Sequence, residues 1–116
     1  MHPTLADIQR SLIDFNSERG WDKYHSPRNL AMALSVEAAE LLELYLWSSD
    51  EGPQPPVAAR NERVASEAAD VLICLLNLCH SADVDVLAAV TEKIEKNRQK
   101  YPVEKSYGRL EKHDEL

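Results

Sequence analysis

Glycine is scarce in this chain, with three in 116 residues, and aromatic residues make up only 6% of it, with a single phenylalanine. Gly20, Gly52 and Gly108 stand far apart, so no glycine-rich phosphate loop is present. The shortage of aromatics, set against abundant Ala, Leu and Glu, favours helices over strands. Cysteine is limited to Cys74 and Cys79. They fall in one helical segment and point in different directions, so they cannot pair with each other, and neither has a His or Cys partner at zinc-ligand spacing. They read as ordinary core thiols in a reducing compartment. Positive charge is in deficit, with 13 Lys and Arg against 20 Asp and Glu, a net charge of −7 and a pI of about 5.0. No basic patch is evident, so nucleic acid is not an expected partner. A net-acidic chain can still bind a small anion when metal cations mediate the contact. No unbroken apolar run approaches the length of a membrane span, so none is expected. No charged N-terminal stretch leads into an apolar one, so no signal peptide is expected either. The final His113-Asp114-Glu115-Leu116 spells an endoplasmic-reticulum retention signal. That signal is read only after entry into the secretory pathway, so the match is taken as coincidence and a cytoplasmic location is expected.

What is present is helical periodicity. Leu5, Ile8, Leu12 and Phe15 step by three or four along a first helix, with Thr4 as its cap, Asp7 as a capping-box partner and Gly20 as its end. A loop carrying Trp21, Tyr24 and His25 follows. Ser26-Pro27 reads as an N-cap with proline at the first helical position, opening a second helix expected to reach Trp47 or Ser48. Residues 49–56 hold Gly52 and three prolines and read as a loop. A third helix is expected from about residues 57–61 to Ser81. A fourth, capped by Asp83 or Asp85, is expected to end near Tyr101, before Pro102. The segment 1–104 is read as one helical domain, and 105–116 as a polar tail. The fold expected is all-α, a four-helix bundle. The second helix is apolar on more than one face, and Val71–Leu76 is apolar all round. A small chain cannot easily cover such helices, which points to a homo-oligomer, dimer or tetramer.

Inside these two apolar helices sit four acids. Glu37 and Glu40 are three apart in the second, and Glu67 and Asp70 three apart in the third. At about 3.6 residues per turn each pair projects from one face. Alanines alone separate the members of each pair, Ala38-Ala39 and Ala68-Ala69, and allow the helices to approach closely. An ionised carboxylate taken out of water costs several kcal/mol unless compensated. Convergent carboxylates also repel one another. A divalent cation relieves both, and all-oxygen ligands suit Mg²⁺ or Mn²⁺. One such pair would say little in a Glu-rich helical protein; two, separated by one helical hairpin, say more. A ferritin-like site would require Glu-x-x-His, and neither Glu37 nor Glu67 has a histidine three residues on.

Arg28-Asn29-Leu30, the acids Glu37, Glu40 and Glu43, Trp47, then Glu67-x-x-Asp70-Val71-Leu72-Ile73, Lys93 and finally Asn97-Arg98-Gln99-Lys100-Tyr101-Pro102 form an ordered set. It resembles the MazG-like nucleotide pyrophosphohydrolases, and within them the dCTP pyrophosphatase branch. The likeness spans about residues 4–105. It implies a helical bundle assembled as dimer or tetramer, with Mg²⁺ bound by Glu37, Glu40, Glu67 and Asp70. It also implies cleavage of a nucleoside triphosphate to monophosphate and pyrophosphate. Two positions depart from that branch: Cys74 stands where animal relatives carry tyrosine, and Leu12 where a histidine can occur. Both bear on the base pocket, so base preference does not follow from the resemblance.

The remaining candidates carry two readings each. Trp21 and Trp47 flank the first acid pair; aromatic faces stack bases, but spacing alone equally makes Trp21 a gap filler and Trp47 a helix staple. The resemblance implies base contact. His25 is either a surface loop residue or a hydrogen-bond partner of base or phosphate, and Asn29 either a first-turn residue or a base-edge contact. Lys93 and Asn97 are four apart on one helix face and resemble phosphate-contacting positions, while Lys96, Arg98 and Lys100 suit the helix dipole. Tyr101 closes the pocket or caps the core. No Ser/His/Asp or Cys/His set is arranged for covalent catalysis, so metal-aided attack by water is the expected chemistry. The rivals are a non-catalytic nucleotide-binding regulator and a helical interaction module with merely solvated acids.

Overall fold

The computed structural model describes residues 2–46 and 57–116, with the side chains of residues 57–61 excepted. Trp47 and the proline-rich loop lie outside the described residues. Four long helices are present: α1 (Leu5–Glu18), α2 (Pro27–Glu43), α3 (Val57–Ser81) and α4 (Val86–Lys100). A short α5 (Val103–Ser106) and two single 3₁₀ turns, Asp22–Tyr24 and His113–Glu115, complete the set, and no strand occurs among the described residues.

Local chemistry fixes the starts. The Thr4 hydroxyl accepts from the Asp7 N–H at 3.1 Å, and the Asp7 carboxylate accepts from the Thr4 N–H at 2.9 Å, a closed capping box. These bonds to Thr4 hold the Asp7 carboxyl below its ordinary pKa. Ser26 caps α2 through the Asn29 N–H, with Pro27 at the first position. Asp85, rather than Asp83, caps α4 through the Ala88 N–H. Asp83 instead takes a left-handed backbone, φ 57°, in the turn after α3.

The end of α1 has more consequence. Trp21 N–H donates to the Asn16 carbonyl at 3.0 Å and Gly20 N–H to the Ser17 carbonyl at 3.1 Å, with Gly20 at φ 64°. This is a Schellman motif, which needs a residue free to adopt positive φ. Its usual apolar contact is also made: Trp21 meets Phe15 edge to face, centroids 5.6 Å apart. Arg19 lies over the Phe15 ring, its guanidinium carbon 3.6 Å from the centroid.

The second helix stops at Glu43, short of the expected Trp47 or Ser48. The reason is in the backbone. Leu44, Tyr45 and Leu46 donate to Leu41, Leu42 and Glu43, three residues back, so the helix tightens into turns of 3₁₀ type.

The chain forms two compact units, one reaching to Asp83 and the other Val84–Leu116. In the first, α3 packs on both α2 and α1. The α2–α3 pair runs antiparallel. Ser81, at the end of α3, donates to the His25 carbonyl just before α2, at 2.6 Å, while Glu37 lies against Asp70 and Glu67 further along. Leu30 (5% exposed), Leu76 (2%) and Cys79 are the buried apolar residues. Met32 (59%), Val36 and Leu42 (60%) stay exposed along α2, as do Leu72 and Ile73 on α3. In the second unit, Leu87, Val90 and Ile94 are exposed on α4, and Tyr101 stacks edge to face with His113 at 5.8 Å.

The third helix bears on the expectation of no membrane span. The segment Glu62–Ser81 is long and apolar enough to cross a bilayer, with a mean hydropathy of 1.3, although no unbroken apolar run reveals it. The mean is high because Val71–Leu76 outweighs the acids around it. Glu67 and Asp70 lie within that segment, where each charge would cost about 2.5–3.5 kcal/mol or more in lipid. They face α2, so that side of the helix packs against protein.

Candidate metal and substrate site

The acids meet as the spacing predicts. Carboxylate oxygens of Glu37, from α2, and of Glu67 and Asp70, from α3, lie within 4.8 Å of one another, each residue partly buried. Three such groups from two helices can hold a metal ion. The surroundings raise the pKa of Glu37, first through desolvation and then through the neighbouring acids Glu40, Asp70 and Glu67. Glu67 is raised in the same way, by desolvation and then by Glu40, Asp70 and Glu43. Oε2 of Glu37 and Oε2 of Glu67 are buried and accept no hydrogen bond within the protein. A buried carboxylate oxygen without a donor is costly, and among the described residues no Lys or Arg lies against either acid. A divalent cation is the partner that this donor set fits, since it satisfies orphaned oxygens and converts mutual repulsion into shared ligation.

The fourth acid stands differently. Glu40 is exposed and outside the converging trio, yet close enough to raise the pKa of both Glu37 and Glu67. The two i,i+3 pairs are therefore not equivalent: α3 contributes both its acids to the trio and α2 only one.

Cys74, one turn after Asp70, has its thiol pushed up by desolvation, then by Glu37 and Asp70. It stays protonated at neutral pH, which suits a wall and not a nucleophile. Both cysteines are free, as expected.

Trp21 and His25 line an apolar cavity of about 450 Å³ together with Leu12, Phe15 and Ile73. His25 also lines a second, more polar cavity of about 300 Å³, with Asp22, His80 and Ser81. Asn29 is placed otherwise: its side-chain amide donates to the Tyr24 carbonyl at 3.1 Å and ties down the 3₁₀ turn. Lys93 and Asn97 share a face of α4 and are exposed, and the Asn97 carbonyl accepts from the Tyr101 N–H at 2.9 Å. These three belong to the second unit.

Sequence reasoning missed Asn16 and Asn77, which line both cavities and bond to each other at 3.0 Å. A signal existed. Asn77 interrupts the apolar run from Val71 to Cys79, and Asn16 follows directly on the apolar stripe of α1.

Helices without strands among the described residues, with an antiparallel hairpin that gathers three acids, define a class: helical proteins with an acidic cluster able to hold a metal ion. Comparisons narrow that class. The MazG-like family model matches residues 32–116. The chain is 45% identical to dCTP pyrophosphatase 1 of Rattus norvegicus and 41% identical to that of Homo sapiens; each match covers 98% of this chain and 68% of the relative. A solved pyrophosphatase from Archaeoglobus fulgidus DSM 4304 superposes with a TM-score of 0.73 at 40% identity, covering 88% of this chain and 95% of that one. The chain belongs to the MazG-like family.

Proposed function

We propose that this chain is a nucleoside triphosphate pyrophosphohydrolase. It cleaves dCTP or a related (d)NTP to the monophosphate and pyrophosphate with Mg²⁺, which Mn²⁺ can replace. The observation that carries the reading is the trio Glu37, Glu67 and Asp70, with two buried carboxylate oxygens that the protein leaves unpartnered. Support comes from relatives that are named dCTP pyrophosphatase and from a structural neighbour described as a pyrophosphatase.

When bound, Mg²⁺ supplies Lewis acidity and charge neutralisation toward the substrate phosphates. Glu37, Glu67 and Asp70 would hold it, with Glu40, which lies against Glu37 and Glu67, as the fourth candidate ligand. Glu40 is exposed beside them and is the best placed of the four to take a proton from the attacking water. Attack at the α-phosphorus breaks its bond to the bridging oxygen, and pyrophosphate departs with the electron pair. Trp21 offers a face to the base, and His25 a hydrogen bond at the same cavity. By resemblance to the family, Trp47 adds a second aromatic face and Asn29 borders the base site. The same resemblance assigns phosphate contact to Lys93 and Asn97 and closure of the pocket to Tyr101.

The working form is a homo-oligomer, dimer or tetramer, supported by the exposed Met32, Val36 and Leu42 on α2 and Leu72 on α3. Its place is the cytoplasm, in nucleotide-pool housekeeping, without nucleic-acid or membrane partners.

The test is pyrophosphate release from dCTP with and without Mg²⁺. Stoichiometric release with Mg²⁺, abolished by chelator and by Glu40→Gln with substrate binding retained, is expected. Tight nucleotide binding without release would instead mark a regulator. No binding of metal or nucleotide would leave an interaction module.

A further inference from the structure

Asn16 is the one buried polar residue among the described residues, 6% exposed, and it sits where the α1 stripe would otherwise continue apolar. Its Nδ2 donates to Oδ1 of Asn77, 61 positions away on α3, at 3.0 Å. A carboxamide has two N–H donors and a carbonyl with two lone pairs. One mutual bond therefore leaves the pair with three N–H groups and one uncommitted carbonyl. No atom of either amide is among the buried oxygens and nitrogens left without a partner, so the pair is reached from the cavities that both residues line.

With Ser11 and His25, these amides form the polar part of the apolar cavity whose walls include Leu12, Phe15, Trp21 and Ile73. No Asp, Glu, Lys or Arg lines it. A lining of apolar faces with a donor-rich polar patch suits a flat, neutral ligand with a polar edge, and it offers a phosphate no Lys or Arg to offset its desolvation. The Schellman bond from Trp21 N–H to the Asn16 carbonyl ties the aromatic wall and the amide to one residue.

Position along α3 links this cavity to the acids. Asn77 follows Asp70 by seven residues in one uninterrupted helix, two turns on and nearly on the same face, about 10 Å along the axis. That is the reach of a nucleotide from its phosphate to the far edge of its base.

We infer that Asn16 and Asn77 are the base-reading residues of this chain, selecting a base with two adjacent acceptors and an exocyclic amine, the pattern of cytosine. Three N–H groups and one carbonyl match O2, N3 and the 4-amino group. Thymine, with a ring N–H between two carbonyls, sets donor against donor. The inference rests on the proposed nucleotide hydrolase reading and assigns its selectivity to two residues that bear no charge and take no part in bond cleavage.

The experiment has two readouts on the full chain. The first is kcat/KM for dCTP and dTTP in wild type, Asn16→Ala, Asn77→Ala and Asn77→Asp. The second is binding of deoxycytidine and thymidine, nucleosides without phosphates, followed by tryptophan fluorescence or NMR. The wild type is expected to prefer the cytosine compound in both. Each variant is expected to cut that preference about 10- to 100-fold, chiefly through KM for dCTP, with kcat at saturation little changed. Asn77→Asp keeps the size and removes the donors, so it preserves the packing if Asn16→Ala does not fold. An unchanged dCTP-to-dTTP ratio in a folded variant overturns the inference, as does equal binding of the two nucleosides by wild type. Selective nucleoside binding without pyrophosphate release would instead sink the hydrolase reading and leave the base assignment standing.

Discussion

The two ends of the α2–α3 hairpin solve opposite problems. At one end, Glu37, Glu67 and Asp70 crowd like charges together, and two of their oxygens have no donor. At the other, Asn16 and Asn77 bond to each other, and Ser81 closes on the His25 carbonyl. The first end is incomplete as a piece of protein chemistry, and the second is held by bonds of its own. The difference teaches where folding and function part company: charge at the acid end opposes folding until a cation arrives, while neutral polar contacts at the amide end support it.

Substitutions at the two ends should therefore move activity and stability in different directions. The largest effect belongs to the acids. Asp70→Asn or Glu67→Gln should lower kcat/KM for dCTP on the order of 10²–10³-fold, while raising the melting temperature measured without metal. A fall in both would break the contrast. Next is the core beside the amide end. Leu76 is 2% exposed, and Leu76→Ala should cost about 2–5 kcal/mol in denaturant unfolding.

The pH dependence sharpens the same point. Glu37 and Glu67 have raised pKa values in the folded chain. Their contribution to metal-free stability is full below the ordinary carboxylate range and is lost as pH rises through the raised values. Mg²⁺ reverses that loss by favouring the ionised form. The gain in melting temperature on adding saturating Mg²⁺ should thus be several degrees at pH 8 and shrink toward zero as pH falls through the carboxylate range. A gain that grew on acidification would have the wrong sign.

The smallest effect concerns Gly20, whose φ of 64° closes the Schellman motif. A Cβ there meets nothing within 4 Å, so Gly20→Ala pays only for backbone conformation, about 1–2 kcal/mol. By loosening Trp21 it should also raise KM for dCTP more than it lowers kcat.

Much of this molecule was legible beforehand because it rests on local rules. The caps at Thr4, Ser26 and Asp85 and the break at Gly20 follow from side chains within a few residues of the bonds they make. The meeting of Glu67 and Asp70 with Glu37 followed from i,i+3 spacing plus one hairpin. The stop of α2 at Glu43 did not, since Leu44–Leu46 have good helix propensity and only their three-residue bonds mark the tightening. That Glu40 is more exposed than Glu37 did not follow, because spacing fixes the helix face and not the depth of each side chain. The Asn16–Asn77 bond joins residues 61 positions apart, a register that no local pattern encodes. The bilayer-length hydropathy of α3 was hidden because a run count stops at each acid and an average does not.

The central claim is that the acid trio is completed by a divalent ion, and Mn²⁺ reports on it directly by electron paramagnetic resonance. Titrating the metal-free protein at neutral pH should show saturable Mn²⁺ binding of at least one ion per chain, displaced by Mg²⁺ and lost in Glu67→Gln and Asp70→Asn. Binding that persists undiminished in both variants, or no binding in the folded wild type, would contradict it.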